Sequence, residues 1–197
     1  MTELEARLKN LEDVEGINKL QRAYGYYLEH WEKQQLVDLF SDGPDISIDT
    51  GRGLYLGQEG IKQFFFTGKR SSEFLHALMQ LSGIVDVDPD GKTAKGRWYG
   101  FGPHAIPRDG VVRASWSMGV YEDEYIKEDG KWKFRKIHWR LIFSTPYEDG
   151  WVKTPIMPVP ADFSPIDGFK PKPSTFVKPY PSGDIFPYHY KNPVTGK

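Results

Sequence analysis

Three Asp-Gly pairs, at 90–91, 109–110 and 129–130, cut the second half of the chain into pieces of strand length. Asp-Gly is a strong hairpin signal because both residues tolerate the positive φ that tight antiparallel turns require. The runs between them, about His76 to Val87, Thr93 to Phe101, Val111 to Ile126 and Trp132 to Phe143, read as strands. Residues so punctuated are committed to an antiparallel meander.

The first half follows a different period. Leu4, Leu8, Leu11, Val14, Ile17, Leu20, Tyr24, Leu28 and Trp31 recur at three- and four-residue steps, the spacing of one helix face. Asp13 is placed to cap a restart, with Glu15 in the first turn after it. A short second helix carrying Leu36, Leu39 and Phe40 stops at Ser41-Asp42-Gly43-Pro44. Asp45 to Asp49 and Gly53 to Leu56 suggest a small hairpin about Thr50-Gly51. Gly57 to Phe66 then reads as a third helix with Ile61, Phe64 and Phe65 inward. Helices first and an antiparallel meander after predict an α+β fold rather than an alternating α/β one.

From Pro146 onward the composition changes. Eleven of the fifteen prolines fall there, among Phe163, Phe169, Phe176, Tyr180, Phe186, Tyr188 and Tyr190. That proline density forbids regular helix or central strand, yet disordered tails are poor in aromatics. The expected division is a domain at 1–145 and an extended arm at 146–197, packed on its own domain or on a neighbouring subunit.

Charge and composition narrow the chemistry. Lys+Arg 26 against Asp+Glu 27 gives no electrostatic reason to expect nucleic acid or an anionic membrane as partner. No cysteine is present, which removes thiol nucleophiles, thiolate metal sites and disulfides. The acidic start lacks a signal peptide's basic and apolar regions, and no apolar run has the ~20 residues of a membrane span. A cytoplasmic location is the expectation. Two-histidine helical spacing, an acid-rich calcium loop and a Gly-x-Ser-x-Gly elbow are all missing, and Gly51-Arg52-Gly53 falls short of a phosphate or dinucleotide loop. Neither metal nor organic cofactor is expected.

The order of these pieces resembles the SnoaL-like branch of the nuclear transport factor two-like superfamily, a cone-shaped α+β barrel in which a curved antiparallel sheet wraps around N-terminal helices. The resemblance rests on Tyr24 followed by Glu29, on Leu36 to Phe40 closing the second helix, and on Gly57-Gln58-Glu59-Gly60-Ile61. It also rests on His76, where that family often has a pocket histidine, and on Asp129-Gly130-Lys131-Trp132-Lys133-Phe134 opening the last strand. It covers about Leu11 to Thr145. Scytalone dehydratase, hexachlorocyclohexane dehydrochlorinase, bile-acid dehydratase, polyketide cyclases and steroid isomerase share this fold, as do pure binding modules. Fold alone therefore does not fix function. The arm is similar to an extension in diarylpropane γ-formaldehyde lyases. The resemblance further implies a homo-oligomer, a trimer before a dimer.

Glu29 and His76 are the leading candidates, a carboxylate and an imidazole able to move a proton if one pocket holds both. The resemblance makes His76 the general base and Glu29 its partner, where the related enzymes carry aspartate. The ordinary readings are a solvated helix-end Glu29 and a packed core His76. Strand alternation puts His76, Leu78, Gln80 and Ser82 on one face. By analogy with the family, Arg97, Tyr99 and Phe101 face the cavity, with Tyr99 or Tyr24 donating a proton and Arg97 stabilising an oxyanion; an outward strand face is the other reading. The glycines between them suggest something bulky nearby, a helix or an arm. Arg113, Ser117 and Tyr121 share a parity whose small neighbours leave room for a ligand, or face solvent as ordinary sheet. His138 has an ambiguous face, since a bulge would swap it. His30, His104 and His189 read as surface residues. The expected activity is a cofactor-independent lyase, dehydrating or deformylating, on an apolar, aromatic, hydroxylated small molecule. A non-catalytic binding protein and an isomerase or cyclase are the alternatives.

Overall fold

In the computed structural model, residues 2–68, 70–108, 110–158, 163, 165–166, 168–175 and 178–197 are described, residue 108 by its backbone alone. Helix α1 (Glu3–His30) is one unbroken element. A capping box starts it: Glu5 N–H donates to Thr2 Oγ1 at 3.2 Å and Thr2 N–H to the Glu5 carboxylate at 2.6 Å. The expected restart at Asp13 does not occur. Asp13 is buried and instead accepts from Trp132 Nε1 at 3.0 Å and from Lys127, tying the helix to the distal hairpin. Leu4, Leu8 and Leu11 are exposed, so the buried stripe begins only at Ile17. Trp31 ends the helix with φ 52°.

Helix α2 (Lys33–Asp38) leads to strands β1 (Ser47–Thr50) and β2 (Gly53–Leu56), and helix α3 (Gly57–Phe65) follows directly. Then come β3 (Leu75–His76), β4 (Met79–Val87), β5 (Thr93–Arg108), β6 (Val111–Glu128), β7 (Lys131–Pro146) and the short α4 (Gly150–Lys153). The sheet is open, curved and seven-stranded, in the order β2-β1-β7-β6-β5, with β3 and β4 both paired to the far edge of β5. All pairings are antiparallel except β1 with β7. The concave face holds α1, α2 and α3 against an aromatic core of Tyr24, Phe40, Phe65, Tyr121, Tyr125 and Phe134.

The strands depart from the sequence expectation in two places that matter for the site. β5 does not stop at Phe101 but continues through Pro103 and Pro107. Proline is tolerated at Pro103 because the neighbouring strand breaks there: β3 and β4 are separate pieces, and Ala77 N–H donates to the Pro103 carbonyl. Gly102 is required at that crossing, since a Cβ would collide with the Ala77 carbonyl. The second departure is in β7, where the register against β6 slips between Glu124 and Tyr125. The slip puts Phe134, Ile137 and Trp139 all on the buried side, as a bulge does.

The residues after β7 run across the domain. Met157 and Ser144 exchange backbone contact, Phe169 stacks on Tyr55, and Lys172 pairs with Leu54 at the sheet edge. Ser174 donates to buried Asp49 at 2.6 Å, and Thr175 bonds the same carboxylate. The chain then reaches the outer face of β5 and β6. There Arg97 ion-pairs with Glu122, donates to the Pro187 carbonyl at 3.1 Å and lies 4.5 Å from the Tyr188 ring centre. His189, read from sequence as a surface residue, has a side chain only 7% exposed, 3.2 Å from Glu122.

Candidate active site in the mouth of the cone

Between α1 and the concave sheet lies a cavity of about 190 Å³. Its wall is mainly apolar and aromatic: Leu28 and Trp31 from α1, Phe64 from α3, Trp139 and Leu141 from β7, and Phe163 from the segment after β7. Trp139 can lie flat on the sheet because Gly100 and Gly119 lie beneath it, and a Cβ at either would meet the indole. The bulky neighbour that these glycines accommodate is therefore an aromatic side chain, not a helix or the arm.

Into this wall project Tyr24, Arg52, His76, His104 and Tyr121, with the hydroxyls of Thr50, Ser115, Ser117 and Ser144. No aspartate or glutamate lines it among the described residues.

His76 sits in β3 directly opposite His104 of β5, with ring centres 4.6 Å apart. Phe74 stacks on its far side and Trp31 meets it edge-on at 5.8 Å. Its Nδ1 is buried with no hydrogen-bond partner among the described residues. Burial, helped by the Arg52 charge, pushes the imidazole pKa down to about 4, so it is neutral at pH 7. His104 is only 5% exposed, which corrects its reading as a surface residue. Ending the strand at Phe101 hid it; continuing the alternation from Trp98 through Gly100 and Gly102 would have turned it inward.

Arg52 was passed over because Gly51-Arg52-Gly53 matches no loop motif. It forms the β1–β2 turn, and three hydrogen bonds leave its Nη2, to Thr67 Oγ1 at 2.7 Å, the Phe163 carbonyl at 2.7 Å and the Phe64 carbonyl at 3.2 Å. The Phe64 ring centre is 4.1 Å from the guanidinium carbon. Burial lowers its pKa to about 10, with Tyr55 and Tyr24 acting in the opposite direction, and it stays charged at pH 7. Burial also raises the Tyr24 pKa, reinforced by Asp123, and that of Tyr121, reinforced by Tyr24. Both phenols are held protonated.

Of the residues singled out from sequence, His76, Tyr24, Ser117 and Tyr121 line this cavity. Glu29 does not. It borders a separate groove with Arg22, Gly25, Tyr26 and Met79. Helix geometry is the reason: Tyr24, Leu28 and Trp31 fall within a narrow arc, whereas Glu29 is turned roughly 100° from Leu28. On β5 the inward parity is that of Trp98, Gly100 and His104, so Arg97, Tyr99 and Phe101 point out. Tyr99 is 46% exposed, Phe101 stacks on Trp116 at 5.5 Å, and Arg97 holds the residues near the C-terminus. Arg113 lies exposed beyond the mouth. His138 is carried outward by the β7 slip; its backbone N–H donates to Asp123 at 3.1 Å, and burial lowers its imidazole pKa.

Residues 9–138 match the SnoaL-like domain, and the chain belongs to that family. Among solved structures it is similar to a scytalone-dehydratase-like protein of Novosphingobium aromaticivorans, with 19% identity over 82% of this chain and 98% of the other and a TM-score of 0.59. A hexachlorocyclohexane dehydrochlorinase shares 20% identity over 71% of this chain and 92% of the other, with a TM-score of 0.56. A protein of unknown function from Mycobacterium tuberculosis shares 16% identity over 68% and 78%, with a TM-score of 0.54. At these identities the likeness shows the fold. No curated protein matches the sequence. Among the described residues, no helix is long and apolar enough to cross a membrane, and no three His, Asp or Glu side chains are grouped to hold a metal ion.

Proposed function

We propose that the chain is a cofactor-independent lyase acting on an apolar, aromatic, hydroxylated small molecule, with His76 as general base. The observation that carries this reading is the neutral His76 imidazole buried in an aromatic cavity with an unbonded Nδ1. The base removes a proton from carbon, the C–H electron pair becomes a C=C bond, and the adjacent C–O bond breaks. The departing oxygen takes its proton from a donor on the wall, and water is released. Tyr24 and Tyr121, kept protonated by burial, are such donors, and His104 stands against His76 on the same wall. Deformylation of a para-hydroxyaryl substrate uses the same base after the C–O bond has broken to give a quinone methide. The base takes the proton of a hydroxymethyl group, and the O–H pair becomes the C=O of formaldehyde. The C–C pair becomes a C=C bond as the ring regains its aromatic phenolate. Glu29 has no part in this scheme, because it borders another groove.

The aromatic lining favours flat substrates, since ring faces and edges of Trp31, Phe64 and Trp139 supply dispersion without demanding hydrogen bonds. Turnover of a panel of hydroxylated aryl compounds by wild type and His76→Ala tests the reading. A loss of about 10²–10⁴-fold is expected from removing a general base. Wild-type rates in the variant, or tight binding with no product from any compound, would overturn it.

A further inference from the structure

Arg52 is a largely buried cation with no carboxylate partner among the described residues. It meets the Phe64 and Phe163 carbonyls, the Thr67 hydroxyl, the ring faces of Phe64 and Phe163, and the Tyr55 phenol. Among the described residues no carboxylate pairs with it, and none lines the cavity it enters. Three hydrogen bonds leave from one nitrogen, Nη2, while the buried Nε makes none among the described residues. A guanidinium withdrawn from water is costly unless an opposite charge meets it. Carbonyl dipoles and an aromatic face compensate only in part.

The fixed fork of donors is the arrangement that carboxylates and other oxyanions match in shape as well as charge. The rest of the wall is mainly apolar, and its polar groups are the imidazoles of His76 and His104 and the hydroxyls of Tyr24, Tyr121, Thr50 and the serines.

We propose that the missing counter-ion is the ligand: the cavity takes aromatic molecules that carry an oxyanion, a carboxylate or an ionised phenol, and Arg52 is the residue that selects for it. This inference rests on the reading of the cavity as a substrate site and narrows its substrate class. It adds a consequence for His76. The Arg52 charge helps hold that imidazole neutral, so a bound anion strengthens it as a base only when the correct ligand is present. Arg52 thus acts as a specificity-determining residue and, through charge, as a positioning partner for the base.

The test uses matched pairs of similar size: benzoate against benzamide, and para-nitrophenolate, above the pH of its ionisation, against para-nitrotoluene. Binding is followed by calorimetry with the full chain. A single charge-assisted pair predicts that at least one anion binds about 10- to 100-fold tighter than its neutral partner. The pair that shows the preference identifies carboxylate or phenolate as the group. Arg52→Gln abolishes the preference, and Arg52→Lys keeps part of it. Equal binding of charged and neutral members by wild type overturns the proposal without needing any variant to fold. A preference that survives in Arg52→Gln overturns the assignment to this residue.

His76→Ala separates this inference from the lyase reading. It is expected to keep the anion preference while losing turnover. Anion preference with no turnover of any substrate would sink the lyase reading alone; turnover of neutral substrates with no anion preference would sink the selection by Arg52 alone.

Discussion

Arg52, at the cavity, and Arg97, on the outer face of the sheet, share two features and differ in a third. Each places its guanidinium about 4 Å from an aromatic ring centre, at Phe64 for Arg52 and Tyr188 for Arg97, and each donates to carbonyls of the segment after β7. Arg97 also has Glu122, which His189 approaches from the other side. Arg52 has no acid among the described residues. The outer guanidinium is matched by a carboxylate, as expected of a structural clamp. The inner one meets a cavity with no carboxylate on its wall among the described residues. The two arginines are thus divided by their charge balance, and that balance separates a fastening from a site.

The division between inner and outer walls can be broken most sharply at His76. If the inner wall holds the chemistry, His76→Ala loses about 10²–10⁴ in turnover, whereas Tyr99→Phe on the outer wall leaves the rate unchanged in steady-state assays. Acid stability gives the next largest effect. His76 has a folded pKa of about 4, below the ordinary 6.5. Between those values the unfolded chain binds a proton that the folded chain refuses, so stability falls as pH drops from 6.5 toward 4 and levels off below. The full loss is about 3 kcal/mol. Urea midpoints across that range should flatten in His76→Gln.

A smaller contrast compares the arginines themselves. Arg97→Gln strands a largely buried Glu122 and should cost about 1–3 kcal/mol, while Arg52→Gln strands no opposite charge and should cost less in chemical denaturation. The smallest effect is at Glu29, where Glu29→Gln should leave kcat and KM as they are. A loss at Glu29 comparable to that at His76 would mean that both serve one reaction despite lining separate cavities.

The fold was readable because two periods meet in one chain. The three- to four-residue spacing up to Trp31 and the Asp-Gly turns after Val87 each left a strong local trace, and their order gave helices packed in a curved antiparallel sheet. The site was less readable, and each miss has a physical source. Face assignment along a strand depends on one residue of register. The slip in β7 and the break between His76 and Met79 each altered which residues meet, with nothing in the local sequence to announce it. The strand-like run is read only to Phe101, which leaves His104 among the surface residues; the strand continues, and Pro103 is tolerated in it because the partner strand breaks opposite it. Glu29 was judged by its chemistry, although its angle on the helix from Leu28 already pointed it elsewhere. Arg52 was tested only against loop motifs. The useful signal is a cation in the turn between two short strand-like runs, where no loop motif accounts for it.

Phe163, Met157 and Pro158 line the cavity, yet none belongs to the strands and helices that make the barrel. Part of the pocket's shape is therefore encoded outside the barrel's own elements, with Phe163 anchored in the core and Met157 and Pro158 less tied to it. Substitutions at Met157 and Pro158 can resize the pocket without disturbing the sheet that aims His76 and His104. Catalytic geometry and substrate fit can then change independently, one written in the barrel and the other in the chain that crosses it.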